Sequence, residues 1–198
     1  SLDKLFSNTH IEDGVKYITG DIARLGKDKS VFMVWSGWRV IEVVEKQTTL
    51  VNESVDIINA LAKKYNVNRD NIIVDEDGVG GGVKDYLKCK GFVNNSAPIE
   101  NGVQKENFAN LKTQCYYKLA EQINMNNLYV RCDEFQEKLL KEELEMVRLA
   151  KEIDTSKITL MSKDEVKKKI GRSPDYSDAL MMRMFFELDK PKSSYYIG

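Results

Sequence analysis

The sequence predicts an α/β domain, a mixed central β-sheet flanked by helices. Three observations predict it. Three β-type runs follow one another early in the chain, the second and third separated only by Gly37 and Trp38. An amphipathic helical stretch then leads into a short, wholly apolar run that ends in a glycine-rich turn, the pattern of a parallel strand buried on both faces. The second half of the chain is dominated by 3.6-residue periodicity. A length of 198 residues fits one domain and can bury a core without disulfide or metal staples. Residues 1–198 are therefore read as a single domain, with 1–16 as an N-terminal extension and 189–198 as a frayed tail.

The elements are justified in order. Residues 17–23 form a first strand. Residues 31–36 and 39–45 are β-rich and close enough to form a hairpin across Gly37. Asn52 is an N-cap candidate, and Val55, Ile58, Leu61, Ala62 and Tyr65 follow at helical spacing. Residues 72–74 are too short for a helix and read as the buried parallel strand. The segment from Gly78 to Gly82 holds four glycines, and residues 83–90 read as a helix closed by Gly91. Residues 94–105 are polar and turn-rich, hence a loop. Residues 108–123 and 134–147 are amphipathic helices. Residues 158–161 are expected to form a hairpin with 149–153. Ser173-Pro174 predicts a helix start, serine as N-cap and proline at the first helical position, for a helix running to about Leu188.

Composition narrows the function classes. The chain is 42% hydrophobic and 31% charged, with three prolines, as in a soluble globular domain. Cys89, Cys115 and Cys132 are odd in number and not at C-x-x-C spacing, which argues against a zinc site or a disulfide framework and for a reducing cytosol. No signal peptide and no apolar run of membrane length predicts a membrane partner. The chain begins at Ser1 without a methionine, as expected of a domain cut from a longer protein. Net charge is −1, which does not announce a nucleic-acid binder. The charge is uneven, however. Lys163, Lys167, Lys168, Lys169 and Arg172 form one basic stretch, and Arg24, Lys27 and Lys29 another. Either can offer a local surface to phosphates.

The chemistry rests on aspartates. Asp21 ends the first strand and Asp75 ends the buried parallel strand, where sites gather in open α/β sheets. Such positions also favour simple turn caps, and Asp77-Gly78 reads as turn chemistry. The glycine run departs from both G-x-x-x-x-G-K-[ST] and G-x-G-x-x-G, which rejects an ATP or dinucleotide site. It is expected to let the backbone pass close to a metal or a nucleic-acid strand. Asp175 and Asp178 lie three apart at the start of the last helix, on one face. The helix dipole alone favours Asp175 there. Asp178 is followed by an apolar run and needs a partner if buried. Two strand-end carboxylates and one helical carboxylate converging on a cleft would suit Mg²⁺ or Mn²⁺. A pair of such ions hydrolyses phosphodiesters without a histidine base.

At these residues the chain resembles the nuclease domain of the terminase large subunit family, which packages DNA in tailed phages. The likeness is carried by Gly20-Asp21-Ile22-Ala23 with Gly26-Lys27-Asp28 after it, and by Val74-Asp75-Glu76-Asp77-Gly78-Val79-Gly80-Gly81-Gly82-Val83. Ser162-Lys163-Asp164-Glu165-Val166-Lys167-Lys168 and Ser173-Pro174-Asp175-Tyr176-Ser177-Asp178-Ala179-Leu180 complete it. It spans residues 17–186. The resemblance implies a ribonuclease H-like fold and a metal-dependent endonuclease that cuts concatemeric double-stranded DNA with two Mg²⁺ or Mn²⁺ ions. By motif the catalytic ligands are Asp21, Asp75 and Asp178, with Asp175 accessory and Asp77 a weaker candidate. Lys163, Arg24 and Lys27 are candidate DNA contacts, Lys163 being equally readable as a solvated lysine. The implied partners are an ATPase motor domain, the small terminase subunit and the portal, in the cytoplasm of the infected bacterial host. With no Walker A motif, the chain is not itself the motor.

Two other readings share these residues. A different ribonuclease H-like nuclease, such as a junction resolvase or transposase core, would prefer branched DNA or carry out strand transfer. A non-catalytic nucleic-acid-binding module would use the acids only as caps and salt-bridge partners. The remaining features are read as structural: His10 at the surface, Phe108, Tyr116 and Tyr117 in the core, the acids of 134–145 as a solvated helix face, and residues 181–186 as packing.

Overall fold

The computed structural model describes residues 2–23, 28–47, 50–100, 106–147 and 157–189. β1 (Lys16–Asp21), β2 (Lys29–Ser36) and β3 (Arg39–Gln47) form the expected antiparallel start. Gly37, at φ +61°, turns the hairpin, a conformation glycine adopts without steric penalty. β4 (Ile72–Asp75) pairs in parallel with β1, and β5 (Lys90–Phe92) in parallel with β4. β6 (Tyr129–Val130) pairs in parallel with β3. The result is one mixed sheet of six strands in the order β5-β4-β1-β2-β3-β6.

Strand alternation sorts the core onto two faces. Ile18, Phe32, Val34, Ile72 and Val74 pack with side chains of α1 (Val51–Tyr65) and α2 (Gly80–Leu87). Val31, Met33, Trp35 and Ile73 belong to the other cluster, with α3 (Leu111–Asn124) and α4 (Glu134–Met146). α5 (Lys163–Ile170) lies against α4. The same face holds α6 (Asp175–Met181), a 3₁₀ turn over Met182–Met184 and α7 (Phe185–Leu188). Leu5, in a 3₁₀ turn at Leu2–Phe6, is buried in this cluster too. Among the described residues no helix is long and apolar enough to cross a membrane.

Several expectations are corrected. α1 is capped at Leu50 rather than Asn52: the Glu53 carboxylate accepts the Leu50 amide, closing the first turn two residues earlier. α2 starts inside the glycine run and ends at Leu87, with Lys88 taking the left-handed conformation at φ 52°. Gly91 is therefore free to lie in β5, and helical residues were expected where this strand pairs with β4. α3 begins at Leu111, where the Asn110 side chain caps the Thr113 amide. Phe108 instead makes a parallel bridge with Ile158. Residues 149–153, the expected partner of 158–161, lie outside the described residues, as does the tail beyond 189. α6 is capped at Pro174, one residue later than expected. β6 and α5 were not expected. α5 carries its own signals, a Ser162–Glu165 capping box and Gly171 at φ +77° closing it.

Candidate functional site

Asp21 and Asp75 meet because of register. β1 and β4 pair as Ile18↔Ile72, Thr19↔Ile73 and Gly20↔Val74, so the next step sets Asp21 beside Asp75, one interstrand spacing of about 4.8 Å apart along the backbone. Alternation puts both on the face that packs α6. α6 supplies Asp175 and Asp178. Its start is fixed from two sides: the buried Glu143 carboxylate accepts the Ser177 amide at 2.7 Å, and Asp175 Oδ2 accepts the Lys29 amide at 3.1 Å. Asp21, Asp175 and Asp178 are only 4%, 7% and 5% exposed.

Two ammonium groups enter this acidic cluster. Lys163, the first residue of α5, places Nζ 3.1 Å from Asp178 Oδ2 and 3.8 Å from Asp21 Oδ2. Lys112 of α3 places Nζ 2.7 Å from Asp178 Oδ1 and 2.9 Å from Oδ2. Asp178 Oδ1 also accepts the buried Tyr116 hydroxyl at 2.7 Å. Lys163 is exposed along its side chain, and its ammonium lies between the Asp21 and Asp178 carboxylates.

The cluster opens on a cleft of about 660 Å³. Asp21, Asp28, Asp75, Asp77 and Asp175 line it, with Lys112 and Lys163. Asn94, Asn95, Asn110, Thr113, Thr159 and Ser162 complete a polar, uncharged rim. Asp178 reaches the cleft through its two lysines. Asp77 serves the loop: its Oδ2 accepts both the amide and the side-chain nitrogen of Asn94, while its own amide donates to Asp75 Oδ1. Asp28 is held by Lys167, at 3.0 Å to each oxygen.

Electrostatics set the acids apart. Burial pushes the Asp21 carboxyl well above its usual range, and the charges of Asp178, Asp175 and Asp75 add to this against the pull of Lys163. Burial likewise raises Asp75, against the Asp77 amide and Lys163, and raises Asp175, against the Lys29 amide and Lys163. Burial would raise Asp178 too, but Lys112 and Lys163, with hydrogen bonds from Lys112 and Tyr116, hold it well below the usual range. Burial opposes the charge on Lys163, yet Asp21, Asp178 and Asp175 keep it firmly protonated.

The donor set is all oxygen, as Mg²⁺ and Mn²⁺ require. Among the described residues, no three acidic, histidine or cysteine side chains are arranged to hold an ion as they stand. The lysines explain why: the Lys163 ammonium spreads across Asp21 and Asp178, a cation standing where another cation would go. With Lys163 displaced, four carboxylates against the Lys112 ammonium leave three negative charges, enough for at least one divalent ion. In chemistry and charge the site fits a metal that displaces Lys163.

Of the expected residues, the structure brings Asp21, Asp75, Asp175, Asp178 and Lys163 together. Arg24 and Lys27 lie outside the described residues. Sequence reasoning missed Lys112, Tyr116 and Asn94. Asn94 had a signal, since it follows β5 as Asp21 and Asp75 end their own strands. Lys112 and Tyr116 had none, because their proximity to Asp178 depends on how α3 packs on α6.

The mixed six-strand sheet flanked by helices is a ribonuclease H-like fold. Within that class, the fold is the one seen in nuclease domains of phage large terminase subunits. A variant of the nuclease domain of large terminase subunit gp2 of bacterial virus Sf6, with manganese and β-thujaplicinol, is similar at a TM-score of 0.80 and 23% identity over 92% of this chain and 95% of that one. The large terminase nuclease of thermophilic phage G20c with bound magnesium is similar at 0.58 and 16% identity, over 87% and 83%. The large terminase nuclease domain of Thermus phage P74-26 is similar at 0.59 and 16% identity, over 92% and 91%. At these identities the likeness establishes the fold. No protein-family model and no curated protein sequence matches the chain.

Proposed function

We propose that this chain is the nuclease domain of a phage terminase large subunit, a divalent-metal-dependent endonuclease acting on double-stranded DNA. The observation that carries this reading is the convergence of Asp21, Asp75, Asp175 and Asp178 from β1, β4 and α6 around a lysine ammonium. Ligand-free carboxylates that stay buried need a cation, and similar folds hold manganese and magnesium.

Asp21, Asp75 and Asp178 are the ligands on this reading, and Asp175 is accessory. Bound there, divalent ions supply Lewis-acid stabilisation of the charge developing on the phosphate and help ionise the attacking water. The protein's own part is positional. The sheet register holds Asp21 and Asp75 side by side, while Lys112 and Tyr116 keep Asp178 ionised and oriented. Lys163, 41% exposed at its side chain, would be displaced by a cation held there and would then be free to face a phosphodiester. The asparagine rim donates hydrogen bonds to a backbone without reading sequence. The substrate would be concatemeric DNA in the cytoplasm of an infected bacterium. The net charge of −1 suits a domain whose DNA affinity comes from an ATPase motor, the small subunit and the portal.

Incubation of the purified chain with supercoiled plasmid and Mn²⁺, beside EDTA and an Asp75→Asn variant, tests this. Mn²⁺-dependent nicking that EDTA and Asp75→Asn abolish is expected. Absence of both cutting and Mn²⁺ binding in the unaltered protein would overturn the metal reading. Cutting confined to four-way junctions would transfer the chain to the resolvases.

A further inference from the structure

The geometry points to Tyr116 as a positioning residue that holds Oδ1 of Asp178, while Lys112 one helical turn earlier spans both oxygens, so that Oδ2 is the oxygen turned toward the metal. The inference rests on the metal reading above and names how one of its ligands is set.

Asp178 is held asymmetrically. Lys112 Nζ spans both oxygens, 2.7 Å from Oδ1 and 2.9 Å from Oδ2, whereas the Tyr116 hydroxyl donates to Oδ1 alone, at 2.7 Å. Oδ2 is the oxygen that Lys163 approaches, at 3.1 Å, from the same ammonium that reaches Asp21. With Lys163 displaced, Oδ1 keeps two donors and Oδ2 only one, so Oδ2 is the freer oxygen. The terminal torsion of an aspartate is broad and roughly two-fold, so the backbone of α6 does not fix the carboxylate plane. Hydrogen bonds to its oxygens do.

Tyr116 suits that task. Its oxygen also lies 3.0 Å from Ser177 Oγ, whose proton is shared between the Pro174 carbonyl and the phenol oxygen. With Ser177 so engaged, the phenol proton goes to Asp178. A hydroxyl donating to a carboxylate is a short, charge-assisted bond. A phenol carries its proton at neutral pH, so it is a donor here. The ring itself is fixed by the core, at 5% exposure. Partners of metal ligands that act this way affect metal affinity or activity by about 10- to 100-fold when removed.

Tyr116→Phe removes one oxygen and keeps the ring. Mn²⁺ affinity is read by the loss of the free-ion electron paramagnetic resonance signal on titration, with thermal unfolding in EDTA recorded beside it. The expected result is about tenfold weaker Mn²⁺ binding, a matching rise in the Mn²⁺ needed for cutting, and an unchanged KM for plasmid DNA. A purely structural tyrosine would lower the unfolding temperature and leave the affinity of the folded protein alone. Tyr117→Phe, on the same helix and tilted at 58° against Phe108, is expected to bind Mn²⁺ as the unaltered protein does. Ser177→Ala removes only the hydroxyl that braces the phenol and is expected to weaken Mn²⁺ binding in the same direction. Unaltered Mn²⁺ affinity in Tyr116→Phe overturns the clamp while leaving the nuclease reading intact; if Tyr116→Phe does not fold, unaltered affinity in Ser177→Ala overturns it. Absence of Mn²⁺ binding in the unaltered protein overturns both.

Discussion

Lys163 and Asp21 show how single residues in this site trade stability against readiness for a ligand. Lys163 is the cation that keeps Asp21 and Asp178 tolerable without metal. Removing one partner of a buried pair strands the other, and the partial exposure of Lys163 moderates the effect to about 1–2 kcal/mol. Lys163→Met is therefore expected to lower the unfolding temperature in EDTA by about 3–6 °C. Mn²⁺ should restore more than it adds to the unaltered protein, because it meets no competing ammonium. An equal Mn²⁺-induced rise in both proteins would show that Lys163 does not occupy the ion's place. Asp21 is the converse. Its carboxyl is raised by burial and by three neighbouring acids, so its ionised form is strained in the fold at neutral pH. Asp21→Asn is expected to raise the unfolding temperature in EDTA by several degrees and to abolish cutting. A drop in that temperature would mean that the bond to Lys163 outweighs the burial. The acids themselves were legible in the sequence, since strand-end and helix-start positions are local features. That Lys163 pairs with them was not, because its position depends on α5 packing against α4, from which it is separated in sequence.

At the scale of elements, the glycine run that links β4 to α2 is four glycines with different duties. A Cβ on Gly80 would stand 1.6 Å from the Asp75 carbonyl oxygen and 2.8 Å from its carbon. Only a glycine lets the helix start directly over the strand end that carries Asp75. A Cβ on Gly82 would meet nothing nearer than Val51 side-chain carbons at 3.6 Å. Gly82→Ala is expected to stabilise the protein by up to about 1 kcal/mol through helix propensity, with cutting retained. Gly80→Ala is expected to destabilise it by about 2–3 kcal/mol or more and to displace Asp75, lowering cutting beyond what the stability loss explains. Chemical denaturation and plasmid nicking on the two variants check both; equal behaviour would refute the close-approach argument. The sequence marked this turn but misplaced the helix after it, because Lys88 closes α2 in a conformation usually left to glycine. Gly91 was thereby misread as a cap, and β5 was hidden. The hairpin of β2 and β3 and the buried β4 were readable from alternation and apolar length. β6, two residues long, leaves no periodicity to read.

Across the whole molecule, the buried acids tie stability to pH and pH to metal. Asp21, Asp75 and Asp175 are all raised, burial being the largest cause in each. Burial also pushes Glu143 up to about 8, against the Ser177 amide and Arg172. A carboxyl whose folded value exceeds its unfolded one holds a proton in the native state that the unfolded chain has released. Its contribution is complete below the unfolded value, about 4, and is lost as pH climbs toward the folded value. Asp178 runs the other way. Held low by its lysines, it stabilises the fold above its unfolded value and gives that up only in strong acid. The metal-free protein is therefore expected to lose stability between about pH 5 and pH 8. Metal reverses this dependence, because it binds the ionised ligands and expels their protons. The rise in unfolding temperature on adding saturating Mn²⁺ should accordingly grow from pH 5 to pH 8, with roughly 2.7 kcal/mol expected at one hundred times the dissociation constant. Unfolding curves in EDTA and in Mn²⁺ across that range measure it. In Asp21→Asn the EDTA slope should flatten and the Mn²⁺ gain shrink together, since one carboxylate underlies both. A flattened slope with an undiminished gain would remove Asp21 from the ligand set and leave it a structural acid.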